Sequence, residues 1–226
     1  MHYFRQVAVV AFKDLRAELR TKEAINASLA FSIVILLLFS FAFDPSEETM
    51  REISGGLLWI VFAFAGTLML NRSFARELPN DCLDALIAAP LPASALFLGK
   101  CLANYVLVLA VELVSLPVFG IFYNVHWARQ FPELLLVLLL GTWALTIIGT
   151  IFSALTVNIK LREVMLPMLT YPILIPALMS AMQLTTALVG GTPIGADNVD
   201  SLKMLIGFDI VFTAVSLVLV ETVLVG

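Results

Sequence analysis

Two acids sit where acids are costly. Glu112 and Asp209 each interrupt a long apolar run, and an ionisable side chain in such a run is by default a functional candidate. Either could line an internal path, pair with a neighbouring helix, or act as a protonated hydrogen-bonder. His126 and Trp127 stand side by side just past another run. The imidazole could contact haem or a metal, while the pair equally suits the aromatic belt at a membrane surface. Cys82 and Cys101 form no Cys-x-x-Cys pair, and no Cys-x-x-Cys-His is present to attach haem covalently, so two free thiols are expected. Gly99-Lys100 is followed by Cys101 and lacks the upstream glycine of a phosphate-cradling loop, so any ATP must be hydrolysed on another chain. No paired carboxylates, histidine cluster or nucleophile–base pair is visible. The chemistry implied is that of a non-catalytic protein with no metal site and no tightly held cofactor of its own.

The elements that must position these residues are set by composition. The chain is 61% hydrophobic and 13% charged, against roughly 45–50% and about 25% for soluble domains. The excess falls in six blocks, at about 24–43, 55–71, 102–123, 134–157, 164–189 and 204–225. Each approaches the about 20 apolar residues that cross a bilayer. Backbone amides cannot stay unpaired in hydrocarbon, so the blocks are predicted to be helices, and none alternates with the period of two that a barrel strand needs. The fold class is all-α: a single polytopic domain over 1–226 with six transmembrane helices. The first block is too long for a signal-peptide core of roughly 7–15 residues, so no cleaved leader is expected.

Lys and Arg collect in cytoplasmic loops. With the N-terminus inside, ten of the 13 basic residues are inside, and only Arg51, Arg129 and Lys203 are outside. Both termini are therefore expected in the cytoplasm, which for a bacterial chain means the inner membrane. Residues 1–23 place Phe4, Ala8, Phe12, Leu15 and Leu19 at steps of four and three, with Arg5, Lys13, Asp14, Arg16, Glu18 and Arg20 around them. That pattern predicts an amphipathic helix in the headgroup layer, drawn to anionic lipid.

The loop from Arg72 to Lys100 joins spans two and three on the inner side. Pro79 breaks the chain, Asn80 suits an N-cap, and Asp81 and Asp84 fall in the first turn, where the helix dipole favours acids. Leu83, Leu86 and Ile87 share a face, and Pro90 and Pro92 end the element. A short surface helix over Asn80–Ala89 is expected, either an inert connector or a transmitter of motion. Pro167, Pro172 and Pro176 in span five each remove an intrahelical hydrogen bond, which predicts a kinked or partly unwound helix.

Arg72-x-Phe74-x-x-Glu77, the Ala89-Pro90-Leu91-Pro92 turn, Lys100 and the run Leu166-Pro167-Met168-Leu169-Thr170-Tyr171-Pro172-Ile173-Leu174-Ile175-Pro176 together resemble the CcmB family. Gly56-Leu57-Leu58-Trp59-Ile60 and the Lys13–Arg20 stretch fit as well, so the likeness covers almost the whole chain. Leu78-Pro79-Asn80-Asp81 stands where the family commonly has a glycine, with turn chemistry kept in kind. The resemblance implies the permease subunit of the ABC transporter of cytochrome c maturation. It implies a separate ATP-binding subunit, a second copy of this chain, further maturation membrane proteins and a haem chaperone as partners, with haem as cargo of the complex. No nucleic acid is implied. Arg72, Phe74, Arg76, Glu77, Asp81, Asp84, Pro90 and Pro92 would then couple to the ATPase, and Pro167, Pro172 and Pro176 would transmit motion. A general ABC export permease for a lipid, polysaccharide or drug shares the fold and the loop. A secondary transporter fits less well, because span two has no proline to match span five.

Overall fold

Apolar blocks that can satisfy their amides only within themselves become helices, and the structure, a computed structural model, is helical in this way. It describes residues 2–42, 47–79, 82, 86, 88–124 and 127–225. Among these are seven α-helices: α1 (His2–Thr21), α2 (Glu23–Ala42), α3 (Glu47–Leu70), α4 (Ala93–Tyr123), α5 (Phe131–Thr156), α6 (Arg162–Val189) and α7 (Val199–Val225). Short 3-10 turns occupy Ala75–Glu77 and Trp127–Gln130. Six of the helices, α2 to α7, are long and apolar enough to cross a membrane. The chain is a multi-pass membrane protein.

The helices overrun the predicted spans, most at α3 and α4, which start at Glu47 and Ala93 rather than near 55 and 102. Hydropathy marks where lipid begins, whereas a helix continues until its backbone is stopped. At α4 the stop is Pro92, whose carbonyl accepts the amides of Ala95 (2.9 Å) and Leu96 (3.1 Å). The short helix expected over Asn80–Ala89 lies largely outside the described residues, and so do Asp81, Asp84 and His126.

The α3 and α5 helices make the centre of the bundle: 72% of each span is buried, against 22–39% for the other four. Their contact is close because Gly141 on α5 leaves room for the Trp59 ring; a Cβ there would meet Trp59 Cη2 at 2.0 Å. The buried indole donates to Thr185 Oγ1 on α6 at 2.9 Å. Hydroxyls bridge the other pairs, each donating to a backbone carbonyl: Ser28 to Ala65 (2.9 Å), Tyr123 to Leu36 (2.7 Å) and Ser153 to Leu70 (2.8 Å). Small hydroxyl residues are suited to this task where helix faces must meet without water.

Of the two forms expected for α6, kinked or partly unwound, the unwound one is not seen: the helix runs from Arg162 to Val189 with all three prolines inside. Its buried ridge is Leu166, Thr170, Leu174, Ala177, Ala181 and Leu184. Pro172 is exposed, and Pro167 and Pro176 are only half-buried, so the rings sit off that ridge, where local adjustment does not disturb packing. In α1 most of the apolar stripe read from the sequence faces away from the bundle, with Leu15 alone packing against the core. Phe4, Phe12 and Leu19 point outward, Phe12 with 65% of its surface exposed, and Val7 and Val10 make the contact with α4. Gly99 permits the approach, since a Cβ there would sit 2.6 Å from Val10 Cβ and 2.9 Å from the Val7 carbonyl. The helix thus has one face for α4 and another, apolar and flanked by Arg5, Arg16 and Arg20, turned away from the protein.

Candidate functional site

The densest polar arrangement lies at the end of the bundle that carries α1. Lys100, the residue after the Gly99 contact on α4, is fully buried at 0% exposure. A lysine ammonium has three donors, and this one has three acceptors. Asp14 Oδ2 on α1, Glu77 Oε1 after α3 and the Ser73 carbonyl each lie at 3.0 Å. The ammonium also stands 5.0 Å above the centre of the Phe74 ring, within cation–π range. Lys13 pairs with the same Glu77 and, at 3.1 Å, with Asp14. Partial burial works against the charge of Lys13, but the Glu77 and Asp14 carboxylates outweigh it and hold the ammonium above the ordinary lysine value of 10.5. A raised lysine pKa stabilises fully below the unfolded-chain value and is lost only as pH climbs through the folded one, so this pairing is intact at neutral pH.

Beside this junction lies a second one. Glu18 is buried on α1, and its Oε1 accepts the amides of Ala24 (2.9 Å) and Ile25 (3.0 Å), capping the start of α2. Arg76 pairs with the same carboxylate, and Arg72 reaches Glu23 at 2.7 Å. The corner between the two helices is Lys22, in the left-handed conformation with φ 56°. Asn104 on α4 donates to Ser73 Oγ (2.9 Å) and Thr150 Oγ1 (3.0 Å), tying in α5. Phe74 is buried against Ala154 and Val157, with Leu78, Val223 and Leu224 around them. Lys13, Arg76 and Lys100 face Asp14, Glu18 and Glu77, three charges against three. The junction is balanced in charge and shared by α1, the α3 end and α4.

Four residues singled out in the sequence, Arg72, Phe74, Arg76 and Glu77, are thus brought together. Gln6 Nε2 donates to the Pro90 carbonyl at 3.4 Å, which joins α1 to the second half of the loop. Pro92 starts α4. Reading for motifs overlooked Lys13, Asp14, Glu18, Glu23 and Asn104 as site residues. The signal was there in part: Val7, Val10, Asp14 and Glu18 recur at steps of three and four, a stripe that mixes apolar and acidic residues and so escapes a hydrophobic template.

The intramembrane residues form a separate group. Glu112 on α4 is buried, and one of its oxygens accepts the Thr142 hydroxyl of α5. Asp209 on α7 is 7% exposed. Trp143 Nε1 donates to Thr213 Oγ1 at 2.9 Å, and the Trp143 ring meets Tyr105 edge-on at 5.5 Å. Trp127 meets Phe131 edge-on at 5.8 Å. Cys82 is exposed and Cys101 buried, both as free thiols. Among the described residues no group of three His, Cys, Asp or Glu could hold a metal ion.

A family model described as CcmB protein matches residues 5–222. Among curated proteins, heme exporter protein B of Rhodobacter capsulatus is 33% identical over 172 residues, covering 76% of this chain and 78% of the relative. Heme exporter protein B of Paracoccus denitrificans is 32% identical over 166 residues, covering 74% and 76%. That of Pseudomonas aeruginosa is 31% identical over 182 residues, covering 80% and 81%.

Proposed function

Because the chain belongs to the CcmB protein family, we propose that it is the permease subunit of an ABC transporter serving c-type cytochrome biogenesis. It lies in the bacterial inner membrane with both termini in the cytoplasm. A separate subunit binds and hydrolyses ATP, and this chain, as two copies in the complex, carries the resulting motion to the outer face. There the work done is haem delivery or release of a haem-loaded chaperone.

The observation that carries this reading is the Lys100 junction. An ATPase docked on the Arg72–Lys100 loop pushes on Glu77 and Ser73, and Lys100 binds both while also holding Asp14 of α1. A displacement of the loop therefore moves α1 and the start of α4 together, because an ammonium out of water cannot give up an acceptor cheaply. Asn104 and Thr150 extend the same connection to α5 at the centre of the bundle. The residues that meet the ATPase are Asp81 and Asp84, with Arg72 on the exposed rim. Phe74, buried against Ala154 and Val157, is an anchor rather than a contact.

The test is Asp81→Lys with Asp84→Lys in the full complex. Co-purification of the ATPase should fall at least tenfold and the yield of c-type cytochromes with it, while the chain remains in the membrane at normal abundance. Unchanged co-purification and unchanged cytochrome yield overturn the docking site.

A further inference from the structure

The charges of α1 are sorted by side. Its two acids, Asp14 and Glu18, both turn into the junction. Three of its four cations, Arg5, Arg16 and Arg20, are exposed on the outward side and form no ion pair with a described residue. At the same end of the bundle Lys13, Arg72, Arg76 and Lys100 are all paired. Arg16 and Arg20 are four positions apart and so neighbours on the helix surface, and Phe12 and Val9 continue their row to Arg5. Along this row runs an open groove of about 800 Å³. Phe4, Phe12 and Leu19 stand out beside the arginines, Phe4 with 78% of its surface exposed. The helix is also tethered at the membrane surface. Lys22 alone separates it from the first span, and Glu18 in its last turn accepts the Ala24 and Ile25 amides that open that span.

We propose that the outward side of α1 is a binding site for anionic phospholipid. Arg16 and Arg20 hold a lipid phosphate between them, Arg5 takes a second one further along the row, and Phe4, Phe12 and Leu19 enter the acyl layer. Each guanidinium offers a planar fork of donors that matches a phosphate. An apolar strip bordered by unpaired cations, on a helix fixed at the bilayer surface, meets both parts of a phospholipid at once. A soluble acidic partner would answer the arginines and leave the phenyl rings in water. A second copy packed symmetrically through this face would set arginine against arginine. Because the opposite side of α1 carries Asp14 and Glu18 into the junction, lipid and Lys100 hold the helix from two sides. The site makes no use of an ATPase, so it goes beyond the permease reading and does not rest on it.

The test places a photo-crosslinking amino acid at Val9, in the groove, in the full-length chain. In native membranes the main adduct should be a phospholipid, identified by mass; a protein as the main adduct, whether a second copy or another chain, overturns the proposal. The same chain is then purified into nanodiscs holding equal amounts of phosphatidylglycerol and phosphatidylcholine. Each basic residue near the surface favours anionic lipid about fivefold, so phosphatidylglycerol adducts should exceed phosphatidylcholine adducts at least tenfold. Replacing Arg5, Arg16 and Arg20 together by Gln should bring that ratio to within about twofold of one. Lys160→Gln with Arg162→Gln, which removes two exposed cations from the α5–α6 connection, should leave it unchanged within about twofold. Raising the salt from about 0.05 to about 0.5 M should lower the ratio of the unaltered row at least threefold, since screening shortens the reach of exposed charge. Equal labelling of the two lipids, a ratio indifferent to salt or to loss of the three arginines, or an equal fall on loss of Lys160 and Arg162 each overturns the site.

Discussion

At the scale of single residues, the chain concentrates its cost at one lysine. A buried ammonium is tolerable when every donor is met and opposite charges are close, and Lys100 satisfies both conditions with Asp14, Glu77 and the Ser73 carbonyl. Lys100→Met removes the charge and keeps the length. It leaves the Asp14 and Glu77 carboxylates sharing Lys13 alone, so a loss of about 3–5 kcal/mol is expected, read as a fall in the thermal midpoint of the detergent-purified protein. Adding Glu77→Gln should return part of that loss, since it removes one of the stranded charges; a double variant no better than the single would show that the pair does not interact. Lys100→Arg should not rescue, because five donors in a planar fork do not fit three fixed acceptors. Lys100 is legible in the sequence as a conspicuous cation just before an apolar block. Its three acceptors are not, since Asp14 lies 86 residues away and Glu77 lies 23 away.

At the scale of elements, the corner between α1 and α2 is held by Glu18 and bent at Lys22. A non-glycine residue at φ 56° carries a steric cost of about 1 kcal/mol that glycine avoids, and the Lys22 side chain is exposed with no charge partner in the junction. Lys22→Gly is therefore expected to raise the thermal midpoint by roughly 2–4 °C, and Lys22→Ile to lower it. Equal midpoints for both variants would show that the corner bears no strain. The helices themselves were readable because lipid allows an apolar block little else. Their ends were not, since Pro92 fixes the start of α4 well before its hydropathy rises. The faces of α1 were only half readable: Phe4, Phe12 and Leu19 declare an apolar stripe, yet the contact with α4 uses Val7 and Val10 because Gly99 lets the backbones meet there. Pattern within one helix cannot report a gap left open on another. The three prolines of α6 leave the helix continuous, since what a proline does to a helix depends on which side of it is packed.

At the scale of the whole molecule, function depends on which way the charged junction faces. Ten of the 13 basic residues fall at the α1 end by chain order, and such an excess is retained on the cytoplasmic side during insertion. If the junction is the receiver of ATP-driven motion, it must lie on that side, for the nucleotide is there. The chain carries its own probe of this. Cys82 is exposed within the Arg72–Lys100 loop, and Cys101, nineteen positions on, is buried. A membrane-impermeant maleimide should leave Cys82 unlabelled in intact spheroplasts and label it fully in inside-out vesicles, with Cys82→Ser abolishing the signal and Cys101 silent in both. Co-expression of the ATPase should then slow Cys82 labelling at least fivefold, because a docked subunit covers the loop. Labelling from the outer face would reverse the topology and remove the ATPase reading with it. Labelling from the inner face at the same rate with and without the ATPase would keep the topology and move the docking surface elsewhere.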